Sequence, residues 1–122
     1  EGPMGIGGRI TNTENALAAG NVLSKEPGYY EDGEFGIRIE NIFIVKNVED
    51  TAYKLKDKKF LGFENVTMVP YCSNLIDSSL LTQREKDWVN EMNRQTIEKT
   101  RNLLQDDARA LDWLKRNTEP LV

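Results

Sequence analysis

Apolar and polar residues alternate through FGIRIENIFIVKNV, Phe35 to Val48. From Gly36 onward Ile37, Ile39, Asn41, Phe43 and Val45 fall on one face, and Arg38, Glu40, Ile42 and Ile44 on the other. That period of two predicts a strand over 36–46. Upstream, Gly20 and Asn21 mark a turn, and the apolar run from Val22 to Ser24 opens a strand over 22–26 that ends at Glu26. Between the two, Asp32-Gly33 is the turn signal of a hairpin tip. A further strand is predicted over Val66–Val69, closed by Pro70, and TAYKLKDKK (Thr51–Lys59) reads as a charged connecting turn or an exposed edge. From Thr82 the text becomes helical. Thr82-Gln-Arg-Glu85 is a capping box that opens a helix to about Leu104, with Trp88, Val89, Met92, Thr96 and Leu103 as a packing stripe. A second helix starts at Asp106 or Asp107, sets Ala108, Leu111 and Leu114 on one side, and stops at Asn117 and Pro120. The fold class expected is α+β: a curved antiparallel sheet within residues 1–75, then a helical tail of two helices within 76–122.

Composition narrows the class. A chain of 122 residues suggests one domain with a modest core. Its 39% hydrophobic and 30% charged residues suit a folded globular protein. A net charge of −4 gives no electrostatic case for nucleic acid or an anionic membrane. No apolar run is long enough to span a bilayer, and no signal-peptide pattern opens the chain. Cys72 is the single cysteine, so an internal disulfide is excluded; with 0 histidines in the chain to activate it, it is not read as a nucleophile. The opening EGPMGIGG lacks an initiator methionine, and the chain is read as a piece cut from something longer.

The candidate chemistry lies on the 36–46 strand. Arg38 and Glu40 share a face with Ile42 and Ile44, so a charged pair continues an apolar row. A hairpin centred near Asp32-Gly33 sets Glu26 opposite Glu40. Two opposed carboxylates repel unless a cation sits between them. Spacing leaves two readings open: a salt bridge with Arg38, worth ~0–1 kcal/mol if exposed, or a metal site in which Arg38 steadies a ligand. Gly28, Gly33 and Gly36 are expected at turns or close approaches. Tyr29 and Tyr30 are expected to pack, and Glu31, Asp32 and Glu34 to form a solvated turn.

The stretch EPGYYEDGEFGIRIEN, Glu26 to Asn41, closely resembles the metal-binding signature of Xaa-Pro aminopeptidases (aminopeptidase P), of the pita-bread metallopeptidase family. The likeness extends to EGPMGIGGR before it, and to LGFENVTMVPY, IDSSLLTQREKDWVNEMNRQT and ALDWLKRNTEP after it, so it covers almost the whole chain. The resemblance implies a partial pita-bread fold, the C-terminal portion of a catalytic domain. In the family two aspartates, one histidine and two glutamates hold two metal ions, with Mn²⁺ the expected ion. The two glutamates match Glu26 and Glu40, and a supporting arginine matches Arg38. Glu40 would bridge the ions; Glu26 would bind one and help handle the proton of the attacking water. The implied reaction removes an N-terminal residue that precedes proline, from peptides with proline in the second position. The implied setting is a cytoplasmic enzyme and a homodimer, since the missing part would leave an apolar sheet face or edge uncovered. The aspartates and the histidine lie earlier in the family's sequence, so this piece alone is expected to be inactive, with metal bound partially or not at all. A non-catalytic pita-bread binding module is the alternative.

Overall fold

The structure, a computed structural model, describes residues 16–49 and 58–122, and most of the Thr51–Lys59 stretch lies outside them. The chain divides into two compact units between Thr67 and Met68.

The first unit holds five strands: β1 (Val22–Lys25), β2 (Gly28–Glu31), β3 (Phe35–Arg38), β4 (Asn41–Val48) and β5 (Phe60–Asn65). β1, β4 and β5 form an antiparallel sheet in the order β1-β4-β5; β2 and β3 form a separate hairpin. Gly20 enters β1 through a turn at φ +92°, and Gly33 sits at the hairpin tip at φ +76°. Both values lie where side chains other than glycine are strained. Across β1-β4-β5 the alternation puts Leu23, Phe43, Val45 and Phe63 on one face, with Val45 fully buried and the Phe43 and Phe63 rings 6.1 Å apart, edge to face. The opposite face carries Ile42, Ile44 and the Lys46–Glu64 ion pair at 2.8 Å.

Two strand predictions need correction. The strand expected over 36–46 is interrupted at Ile39 and Glu40, which belong to neither β3 nor β4. Pro27 is the cause opposite them. It has no N–H to donate, so the ladder keeps only the bond from Ile39 N–H to the Pro27 carbonyl, 3.1 Å. The third strand runs over Phe60–Asn65, not Val66–Val69. After Asn65 the ladder stops because the Ile42 N–H donates to the Thr67 hydroxyl, 2.9 Å, in place of a main-chain carbonyl. Gly62 hides the true strand in the sequence. A methyl group there would lie 2.9 Å from Val48 Cγ2, so the glycine marks close packing rather than a turn.

The second unit holds α1 (Gln83–Thr100) and α2 (Ala108–Asn117). The capping box forms as predicted: the Glu85 N–H donates to Thr82 Oγ1, and the Thr82 N–H donates to the Glu85 carboxylate at 2.8 Å. Val89, Met92, Asn93 and Thr96 are the buried residues of α1, the spacing of one helical face. Trp88 and Leu103 drop out of the predicted stripe. Trp88 is exposed and stacks on Tyr71 with ring centroids 6.0 Å apart. Leu103 is exposed because the α-helix ends at Thr100, whose hydroxyl donates to the Thr96 carbonyl, and residues Arg101–Leu104 wind as a 3-10 turn with a different phase. Asp107 caps α2 by accepting the Ala110 N–H at 2.9 Å, and Leu114 is its buried residue. The C-terminal Leu121 is clasped by Asn90, whose amide accepts from its N–H at 2.7 Å and donates to its carbonyl at 3.0 Å.

On the exposed side of α1, Arg94 bonds Glu91 and Glu98. Arg94 first, and then Gln95, hold the Glu91 carboxyl down at about 2. A depressed carboxyl adds stability above its unfolded value and loses it on protonation. The stability difference between wild type and Glu91→Gln should therefore be constant above about 4.5 and shrink as pH falls toward about 2. Urea melts followed by circular dichroism across that window measure it; a difference that stays constant down to pH 2 would contradict the assignment.

Candidate metal centre

β1 pairs with β4 and β2 pairs with β3 in one continuous register, every pair placed symmetrically about Gly33: Lys25 with Asn41, then Gly28 with Arg38. Glu26 and Glu40 occupy matching positions in that register, in the gap between the two ladders. The main-chain bonds from Val45 to Asn21 and from Ile39 to Pro27 make Glu26 and Glu40 a non-hydrogen-bonded pair of the register, with the ladders on either side holding them at matching positions.

Their side chains meet at one guanidinium. Arg38 Nη1 lies 3.7 Å from Glu26 Oε2, and Arg38 Nε lies 3.9 Å from Glu40 Oε2. Glu26 also accepts a hydrogen bond from Ser24 Oγ at 2.8 Å. All three charged side chains are about half exposed, so these long ion pairs contribute only ~0–1 kcal/mol each. Stability is thus a thin reason for two carboxylates at one point. The cation needed to relieve their repulsion is here the protein's own arginine.

Oxygen-only donors of this kind suit hard divalent ions such as Mn²⁺ or Mg²⁺. Glu26 and Glu40 fit as part of such a cage and not as the whole of it: among the described residues no group of three or more histidines, cysteines, aspartates or glutamates could hold a metal ion. The hairpin acids stand apart from the pair. Glu31 accepts a hydrogen bond from the Tyr29 hydroxyl, which is the main reason the Tyr29 phenol is raised above its ordinary value. Cys72 is exposed and unbridged.

Tyr30 was expected to pack, and it does so on its own hairpin, its ring lying along Gly28 and Gly36. A methyl group at Gly28 would meet Tyr30 Oη at 2.5 Å, and one at Gly36 would meet Tyr30 Cδ1 at 2.7 Å. The available signal was two glycines in step with Tyr30 at alternate positions across the turn, on the face that carries Arg38.

Comparison with known proteins bears on this arrangement. The family described as "Metallopeptidase family M24" matches residues 1–47, and "C-terminal region of peptidase_M24" matches residues 59–121. A "Probable Xaa-Pro aminopeptidase P" of Fusarium vanettenii is 59% identical over 118 residues, covering 97% of this chain and 19% of that protein. Its counterpart in Sclerotinia sclerotiorum is 58% identical over 121 residues, covering 99% of this chain and 20% of that protein. The chain thus spans about a fifth of the length of these relatives. The crystal structure of X-prolyl aminopeptidase from Caenorhabditis elegans, described as a cytosolic enzyme with a di-nuclear active site, superposes with a TM-score of 0.83 at 33% identity, over 99% of this chain and 19% of that one.

Proposed function

The chain belongs to metallopeptidase family M24, and from that premise we propose that it is the C-terminal part of a two-metal aminopeptidase that removes an N-terminal residue preceding proline. Its fold is α+β, a partial pita-bread arrangement of antiparallel sheets followed by two C-terminal helices. The observation that carries the functional reading is the meeting of Glu26 and Glu40 at Arg38. The names of the relatives and the di-nuclear site of the nematode enzyme support it.

In this reading Glu40 and Glu26 hold divalent ions, with Mn²⁺ the expected species. Such ions would supply a nucleophile from water at neutral pH and stabilise charge developing on the scissile carbonyl. The chain's own part would be to bind and orient: Glu40 would serve both ions, Glu26 would hold one and take up the proton of the attacking water, and the Arg38 charge would steady both carboxylates. Substrates are peptides with proline in the second position. The cytosolic description of the nematode enzyme supports a cytoplasmic setting. Among the described residues no helix is long and apolar enough to cross a membrane. A homodimer is proposed because Val22 and Ile42, on one face of the β1-β4-β5 sheet, remain exposed in this chain.

The test uses the full-length protein. It should cleave a tripeptide with proline second, lose that activity to a chelator and regain it with Mn²⁺; light scattering of the 122-residue chain by itself should give twice its mass. Peptide binding without turnover by the metal-loaded protein would defeat the enzymatic reading in favour of a binding module. A monomer at high concentration would remove the dimer alone.

A further inference from the structure

The segment that carries Glu40 is held differently along its two edges. On the side of β1 the register continues past the glutamate: Lys25 pairs with Asn41, and the Ile39 N–H donates to the Pro27 carbonyl at 3.1 Å. As the non-hydrogen-bonded partner of Glu26, Glu40 directs its own N–H and carbonyl to the other edge. There the paired residues of β4 and β5 end at Phe43 and Asn65, short of Glu40.

Ile42 extends the hold on that edge. Its carbonyl accepts from the Val66 N–H at 3.0 Å. In an antiparallel pair the return bond would run from the Ile42 N–H to the Val66 carbonyl. The Ile42 N–H donates instead to Thr67 Oγ1, 2.9 Å away. Thr67 is itself fastened, because its carbonyl accepts from Asn65 Nδ2 at 2.8 Å. A side-chain hydroxyl therefore closes the last bond of this edge, two residues from Glu40 and on the main chain of a residue that shares its face.

The Val66 carbonyl would satisfy the same N–H, so sheet formation alone does not call for a hydroxyl. What the hydroxyl adds is a hold on Ile42 while the chain leaves the sheet after Asn65. We propose that Thr67 is a positioning residue for Glu40: its hydroxyl pins Ile42 on the edge away from Glu26, so the Glu40 end of β4 is held from both edges and does not pivot about its ladder with β1. This rests on the reading of Glu40 as a metal ligand. Such a group must stand within about 0.5 Å of its productive place. Thr67 acts through the Ile42 main chain and not through the carboxylate.

A control separates position from stability. Gly62 pairs with Lys46 in the same β4–β5 ladder, away from Glu40, and a methyl group there would meet Val48 Cγ2 at 2.9 Å. The experiment titrates Mn²⁺ into the full-length protein and its variants Thr67→Val, Thr67→Ser, Gly62→Ala and Glu40→Gln, reading affinity by calorimetry and stability by thermal melting. Loss of a group that orients ligands weakens metal binding by roughly 10- to 100-fold. Thr67→Val, which keeps the shape and removes the acceptor, should weaken Mn²⁺ binding by about tenfold, the low end of that range. Thr67→Ser, which keeps the hydroxyl, should bind Mn²⁺ as wild type does. Gly62→Ala should lower the melting temperature with Mn²⁺ affinity unchanged. The inference is overturned if Thr67→Val melts lower yet keeps wild-type affinity, or if Thr67→Ser loses as much affinity as Thr67→Val. Should Thr67→Val fail to fold, Thr67→Ala, which sets no methyl group against the Ile42 N–H, replaces it with a loss in the same direction. Failure of both to fold would overturn the inference in favour of a purely structural hydroxyl. If Glu40→Gln itself retained full Mn²⁺ affinity, the reading of the metal site would fail rather than the role of Thr67 alone.

Discussion

Glu40→Gln in the full-length protein is expected to reduce turnover of an Xaa-Pro peptide by at least about a hundredfold. The substitution keeps the size of the side chain and removes the charge from a ligand assigned to both ions. Metal-assisted charge stabilisation is worth several kcal/mol, and each ~1.4 kcal/mol is a factor of ten in rate. Glu26→Gln should be comparably damaging by a different route: one ion is loosened and the attacking water loses its proton acceptor. Arg38→Lys should fall between these and wild type, since lysine keeps the charge that relieves the carboxylate repulsion but has no planar fork to fix two carboxylates at once. Asp32→Asn, beside the tip glycine, should stay close to wild type. Steady-state kinetics on the four variants measures the series. Equal activity for Glu26→Gln, Glu40→Gln and wild type would contradict it.

The second large effect concerns the 122-residue chain by itself. It should show no measurable turnover of an Xaa-Pro peptide and no stoichiometric binding of two Mn²⁺ ions. Two carboxylates are a minority of the five ligands that the family resemblance implies, and the chain contains 0 histidines. Ion affinity rises with the number and preorganisation of oxygen ligands, and weakly furnished protein sites sit near ~1 mM. In the isolated chain Arg38 already occupies the place where Glu26 and Glu40 converge, so an incoming cation would have to compete with it. Calorimetry of the chain against Mn²⁺ is the measurement, and a tight two-ion isotherm would refute the expectation.

Much of the site's neighbourhood could be read from residue types, because it depends on local rules. Asp32-Gly33 named the hairpin tip, and Gly33 does adopt the left-handed conformation the turn requires. Centring the register there placed Glu26 against Glu40, and the ladders on both sides keep that centre. The capping box at Thr82 and the cap at Asp107 were legible for the same reason: a few residues suffice to make them. Most of what failed depends on partners distant in sequence. The break at Ile39–Glu40 comes from Pro27 on the facing strand, and alternation within Gly36–Val45 carries no trace of it. β5 was displaced because Gly62 reads as a breaker until Val48 is seen packed over it. Leu103 kept helical spacing on paper, yet the last turn of α1 tightens after Thr100 and carries it away from the buried face. Gly28 and Gly36 take the second of the two roles expected of them, a close approach rather than a turn, a choice the letter alone does not make because it is the same whether the need is a positive φ or empty space.

The central claim is that Glu26 and Glu40 are metal ligands. Diffraction from crystals of the full-length protein grown with Mn²⁺, recorded on both sides of the manganese absorption edge, tests it most directly. The account predicts two anomalous peaks, with the Glu40 carboxylate in contact with both and the Glu26 carboxylate in contact with one. Two peaks that neither glutamate touches, with both carboxylates still held by Arg38, would contradict it.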